Sequence, residues 1–186
     1  IGTTAIILFG VLLISWQSAD INWLTLQVLF ITALLGVAIF NFPVAKLFVG
    51  DGGAYLMGGT LAWSVILLPQ VATNTSPFAS LLLVIFPLYE LLRTIARRLI
   101  SGHSIMKPDN QHLHSIVYKF LIYKNLTEQK YANPIATLLV LVLPCICVAL
   151  SILFQTNAKL LLFSLVAVVI IYETLMRQLK VRLSCY

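Results

Sequence analysis

Long apolar runs separated by short polar clusters fill this 186-residue chain from end to end. Residues 22–40, 54–71, 78–92, 134–154 and 160–176 approach or reach the roughly 17–25 residues that carry a helix across a bilayer. Residues 3–16 are apolar but shorter. Apolar side chains fall all round each run instead of along one stripe, so every face meets lipid or another helix. The expectation is an all-α fold: a polytopic transmembrane helical bundle of about six membrane helices, with a long loop over 93–133. Within that loop IVYKFLIYKNL, residues 116–126, mixes aliphatic and aromatic residues with two lysines and predicts a helix lying on the membrane surface. No internal repeat divides the chain, so 1–186 is read as one unit.

Composition agrees. Hydrophobic residues make up 60% of the chain and charged residues 10%, against about 25% charged in soluble domains. Mean hydropathy is +0.99. The net charge of +6 would fit nucleic acid on its own. In a membrane protein it points instead to cytoplasmic loops, and no nucleic-acid partner is expected. Six spans place 41–53, 93–133 and the tail after Arg177 on one side. That side holds Lys46, Arg93, Arg97, Arg98, Lys107, Lys119, Lys124, Lys130, Arg177, Lys180 and Arg182. Lys159 alone stands on the other, of 12 Lys and Arg in all. The bias places the charged side and the C-terminus in the cytoplasm. The chain opens Ile1-Gly2-Thr3-Thr4 and its first methionine is Met57, so it is expected to be part of a longer polypeptide. Cys145 and Cys147, two apart in an apolar run, are expected to be packing residues.

Two polar stretches lie on the charged side. The first, FNFPVAKLFVGDGGAYLMGG at 40–59, holds Asp51, which is the only acid between Asp20 and Glu90. Asp51 could simply cap the helix that follows. It could equally hold Mg²⁺, which takes one or two carboxylates and leaves its other positions to water and phosphate. Gly50, Gly52 and Gly53 leave room for a ligand to approach the backbone. The second stretch, RRLISGHSIMKPDNQHLHS at 97–115, gathers His103, His112, His114, Asp109, Lys107, Arg97 and Arg98. Zinc on His103, Asp109, His112 and His114 fits no common spacing. A cationic surface for phosphate suits these residue types better. Glu90, Arg93 and Arg97 share one helix face at i, i+3 and i+7, either as an ion pair along the helix or as substrate contacts.

Together these stretches resemble the polyprenyl-phosphate N-acetylhexosamine-1-phosphate transferase family, glycosyltransferase family 4. The sugar-linking, undecaprenyl-phosphate GlcNAc-1-phosphate branch is the better fit. The family pattern F-N-x-P-A-x-x-F-M-G-D-x-G-S meets FNFPVAKLFVGDGGA here. Its R-R-L-x-x-G-x-S-x-x-x-P-D-x-x-H-L-H-H loop meets RRLISGHSIMKPDNQHLHS. Ala54 departs from a serine, Ser115 from a histidine, and Glu90 stands where an aspartate is common. The resemblance covers roughly the C-terminal half of the family. The acidic pair and the N-x-x-x-D-G-x-D-G stretch that the family carries upstream do not occur in these residues, so the 186-residue chain alone is expected to be inactive.

The resemblance implies that Asp51 binds Mg²⁺ (or Mn²⁺), that Phe48 stacks on uracil and that Asn41 belongs to the nucleotide site. It implies that His112 and His114 lie at the sugar-nucleotide phosphates, with Asp109 alongside; Lys46, Arg98 and Lys107 are expected to add cations that bind substrate. The implied reaction moves N-acetylhexosamine-1-phosphate from a UDP-N-acetylhexosamine to a polyprenyl phosphate in the bacterial inner membrane. UMP leaves, and cell-envelope polysaccharide synthesis begins. A homodimer stays open. So do two other classes, a membrane transporter, which would carry ionisable groups deep within its spans, and a non-catalytic membrane subunit.

Overall fold

A computed structural model describes residues 1–16, 20–43, 46–47, 49–102 and 111–184. Among these residues seven helices follow one another: α1 (Gly2–Ser15), α2 (Ile21–Asn41), α3 (Gly50–Val71), α4 (Pro77–Ile100), α5 (Leu113–Tyr123), α6 (Gln129–Leu153) and α7 (Ala158–Ser184). No strand occurs among the described residues. α2, α3, α4, α6 and α7 are each long and apolar enough to cross a membrane, and α1 is a shorter apolar helix. The chain is a multi-pass helical membrane bundle, as the apolar runs predict.

Helix starts follow local chemistry. Asp20 accepts from Trp23 N–H at 2.8 Å and opens α2. Ser76 caps α4 with Pro77 just inside it, where the missing N–H is no loss. Pro69, Pro87, Pro134 and Pro144 lie within helices, which neighbouring helices in a membrane bundle make tolerable. Outward-facing Phe9, Leu29, Leu35, Ile66, Phe163 and Ile170 are more than half exposed. Those faces are left for lipid or for other helices to cover.

Two apolar clusters hold the bundle. One packs α1 against Trp23 of α2, Val65, Leu68 and Ala72, Leu83 of α4 and Val148 of α6. The other joins α4, α5, α6 and α7 through Leu82, Phe86, Leu113, Ile116, Val117, Val140, Leu143, Leu165 and Met176. Gly10 makes the first possible: a Cβ there would meet Val148 Cγ1 at 2.9 Å and Leu83 Cδ2 at 3.0 Å. A small residue lets the backbones approach, as is usual between membrane helices.

The helix over 116–126 begins three residues earlier than the sequence pattern indicates and ends at Tyr123. It is also docked, not merely laid on a surface, because Leu113, Ile116, Val117 and Leu121 are buried in the second cluster. The ends of the bundle sort as the alternation predicts. Ser76 N–H donates to Gln155 O at 2.7 Å, joining two turns at one end. At the other end Arg97, Gln111 and Lys180 meet.

Candidate functional site

The first polar stretch builds the mouth between α2 and α3. Asn41 closes α2, and its Oδ1 accepts from Leu47 N–H at 3.3 Å. Lys46 N–H donates to Phe40 O at 3.0 Å, so the chain folds back on the end of α2. Lys46 is exposed. Gly50 opens α3 at φ +67°, a left-handed conformation that glycine adopts without strain. Asp51 follows in the first turn, exposed. Val49 occupies the cap position, and no side chain caps the helix among the described residues. The capping alternative for Asp51 is therefore not what forms. Its carboxylate has no hydrogen-bond or ion-pair partner among the described residues, and it lies where a helix N-terminus favours negative charge. A Cβ at Gly52, Gly58 or Gly59 would meet nothing within 4 Å, so this face of α3 is open. An apolar crevice of about 180 Å³ lies between α1, α2 and α3 next to the mouth, lined by Phe30, Val37, Val49, Gly53, Leu56 and Met57 among others.

The second stretch is held from two helices at once. Glu90 on α4 accepts from Leu113 N–H at 2.6 Å and from Tyr172 O–H of α7 at 3.2 Å. Its second oxygen stands 3.9 Å from His112 Nδ1. Gln111 Oε1 accepts from Arg97 and, at 3.1 Å, from Lys180. Arg93 does not pair along α4, as the i, i+3 spacing allowed. It reaches across to Glu173 of α7, Nε to Oε1 2.6 Å, and Tyr89 O–H donates to the same oxygen at 3.1 Å. Arg93 also lies 5.9 Å from the Tyr172 ring. Tyr89, Gln111, Tyr172 and Glu173 are absent from the sequence-based site. An acid within each of two apolar runs, Glu90 and Glu173, was the available signal. Glu90, Arg93 and Glu173 do lie inside candidate spans, as a transporter would require, but they bind one another or the first turn of α5.

The two histidines diverge. His112 precedes α5 and turns toward Glu90, whereas His114 turns toward α6, where its Nε2 lies 3.2 Å from Thr137 Oγ1. Arg98 is buried, at 9% exposure, so it faces the fold more than the aqueous side. Phe48, Lys107, Asp109 and His103 lie outside the described residues. Among the described residues no three His, Cys, Asp or Glu side chains cluster as a metal cage. One exposed carboxylate suits a weakly caged Mg²⁺ that keeps water and substrate oxygens, and does not suit a closed zinc site.

This arrangement is a helical membrane bundle with an open acid-and-glycine mouth at one charged end. Comparison with known proteins agrees with it. Residues 1–69, which contain that mouth, match the glycosyl transferase family 4 model. The undecaprenyl-phosphate alpha-N-acetylglucosaminyl 1-phosphate transferase of Salmonella typhi is 33% identical over 94 residues, 48% of this chain and 26% of the relative. The protein of that name in Escherichia coli strain K12 is 32% identical over 94 residues, with the same coverage. That in Pasteurella multocida is 27% identical over 125 residues, 64% of this chain and 34% of the relative. The chain thus spans about a quarter to a third of the length of these relatives. No solved structure matches it. The expected resemblance holds in both sequence comparisons, and the family model covers the first of the two motifs.

Proposed function

We propose that this chain forms the C-terminal membrane portion of a sugar-1-phosphate transferase. The enzyme joins N-acetylhexosamine-1-phosphate from a UDP-sugar to a polyprenyl phosphate in the bacterial inner membrane and thereby begins a cell-envelope polysaccharide. The observation that carries the reading is Asp51: an exposed carboxylate opening α3, inside the residues that match the family model. An oxygen of the prenyl phosphate attacks the sugar-bearing phosphorus. A new P–O bond forms, the pyrophosphate bridge breaks, and UMP departs with the bridging oxygen. Such transfer depends mostly on alignment and charge neutralisation.

Asp51 would hold Mg²⁺ or Mn²⁺, and the metal, when bound, supplies charge neutralisation at the pyrophosphate. The chain's own residues do the rest. Asn41 fixes the loop beneath the nucleotide, and Lys46 offers a cation at the mouth. His112 presents its imidazole next in the chain to Gln111, which accepts from Arg97 and Lys180. The apolar crevice beside a water-exposed mouth suits two substrates that come from bilayer and cytoplasm. The charge bias supports cytoplasmic loops and a cytoplasmic C-terminus.

The test is UMP release against Mg²⁺ concentration in membranes carrying the native protein or Asp51→Asn. Turnover is expected to fall by about 10²-fold or more, since charge neutralisation of this kind contributes several kcal/mol. Equal turnover at limiting Mg²⁺ would remove Asp51 from the site.

A further inference from the structure

We propose that Glu90 is a positioning residue: from α4 it caps the first turn of α5 and thereby sets the direction of His112. α5 has no cap of its own, since His112 occupies the cap position without a side-chain bond to the helix. The first free N–H groups of a helix need an acceptor. Here the acceptor comes from 23 residues upstream, on another helix: Glu90 Oε1 takes Leu113 N–H at 2.6 Å. Tyr172 O–H, almost fully buried, donates to that same oxygen at 3.2 Å. That bond fixes the carboxylate from the α7 side. The remaining oxygen faces His112 Nδ1 at 3.9 Å. With the Nδ1 edge turned toward the acid, Nε2 is the nitrogen left to meet a ligand. The His112 side chain keeps 41% exposure, so a ligand can reach it. Three helices therefore converge on one carboxylate, whose geometry decides where the imidazole points. A carboxylate behind a functional histidine is a common way to fix its orientation. The neighbouring Arg93–Glu173 pair ties α4 to α7 and keeps Glu90 and Tyr172 in register.

The catalytic part of this proposal rests on the transferase reading; the cap does not. Two measurements on the native protein in detergent separate them. One is hydrogen exchange in peptides covering 111–123, with peptides covering 134–154 as a control. The other is UMP release. In Glu90→Ala, exchange across the first turn of α5 is expected to rise about tenfold while the control stays unchanged. Turnover should fall about 10–100-fold, with KM for the UDP-sugar within about threefold. Glu90→Gln keeps an acceptor oxygen and should leave both readouts within about threefold of the native protein. In a His112→Ala background, Glu90→Ala should cost no more than about a further twofold, because the two act through one imidazole. Unchanged exchange at 111–123 in Glu90→Ala overturns the cap, and a fully additive loss in the double variant overturns positioning. If His112→Ala alone keeps full turnover, the transferase role of this segment fails instead, and exchange alone judges the cap.

Discussion

Asp51 and Glu90 are both acids near the charged end of the bundle, and they have opposite fates. Asp51 stands exposed in the first turn of α3, with no partner among the described residues. Glu90 meets a backbone N–H, a tyrosine and a histidine. Their surroundings differ in the same way. α2 buries only Trp23 and Gln27, and α3 buries Ser64, Val65 and Leu68. Helices α4 to α7 share the larger cluster, and the tyrosines, acids and arginine around 89–93 and 172–173 bind one another. Polar groups that already satisfy one another build a frame. A polar group left open, on a surface that gives it no structural duty, is available to a ligand.

The most damaging substitution should therefore fall in the frame. Glu173→Ala leaves the Arg93 guanidinium within a membrane helix without its acid, and removes the acceptor for Tyr89. Losing one member of a fully buried pair costs about 3–5 kcal/mol. The Arg93 and Glu173 side chains keep 18% and 27% exposure, so about 2–4 kcal/mol is expected here. Thermal unfolding in detergent measures it. A loss under about 1 kcal/mol, the value for a solvated surface pair, would put the pair outside the frame.

Next comes the contact that ties the open region to the frame. Gly10→Val would push methyl groups into Val148 and Leu83, which already stand 2.9 and 3.0 Å from the position of a Cβ. Overpacking of this kind costs about 1–3 kcal/mol. Gly36→Ala is the control, because its Cβ meets nothing within 4 Å and a helical Gly→Ala change is worth about 0.5–1 kcal/mol in the stabilising direction. Equal behaviour of the two variants would show that α1 is loosely attached.

The frame was the less legible half of the sequence. The apolar runs disclosed the spans because length and composition are local properties, and the 40–54 motif displayed Asp51, Asn41 and the glycines within one short segment. The Arg93–Glu173 pair joins residues 80 apart, and the cap of α5 comes from 23 residues upstream. No local period encodes either. The same fact explains why α5 starts at Leu113 and not at 116: its beginning is set by Glu90, not by its own apolar pattern. His112 and His114 look equivalent in an H-L-H triplet, yet a helix begins between them and sends them to α4 and α6.

A smaller effect is expected where α2 meets α3. Gln27 is fully buried and donates to Ser64 Oγ at 3.1 Å, but its Oε1 has no partner among the described residues. Hydrogen bonds between membrane helices average about 0.6 kcal/mol, and the unmet acceptor offsets part of that. Gln27→Leu with Ser64→Ala should change stability by less than about 1 kcal/mol. A loss above about 2 kcal/mol would mean that the oxygen is satisfied in the membrane, for instance by an ordered water.

The smallest effect on stability should come from the residue with the largest expected effect on turnover. Asp51→Asn keeps the size of the side chain and takes away only its charge. No hydrogen bond is lost, since none forms among the described residues, and no cap is lost, since Val49 holds that position. What remains is the attraction between a carboxylate and the helix N-terminus, about 0.3–1 kcal/mol at an exposed site and less in salt. Unfolding of the variant in 0.15 M salt should therefore match that of the native protein to within about 0.5 kcal/mol. Added Mg²⁺ sharpens the comparison. If Asp51 binds the ion in the folded state, Mg²⁺ raises the unfolding temperature of the native protein and leaves Asp51→Asn unmoved, because a ligand that binds only the folded form stabilises it in proportion to its occupancy. An equal rise in both would move the ion to other groups. A loss of 2 kcal/mol or more without Mg²⁺ would return Asp51 to the frame and cancel the contrast with Glu90.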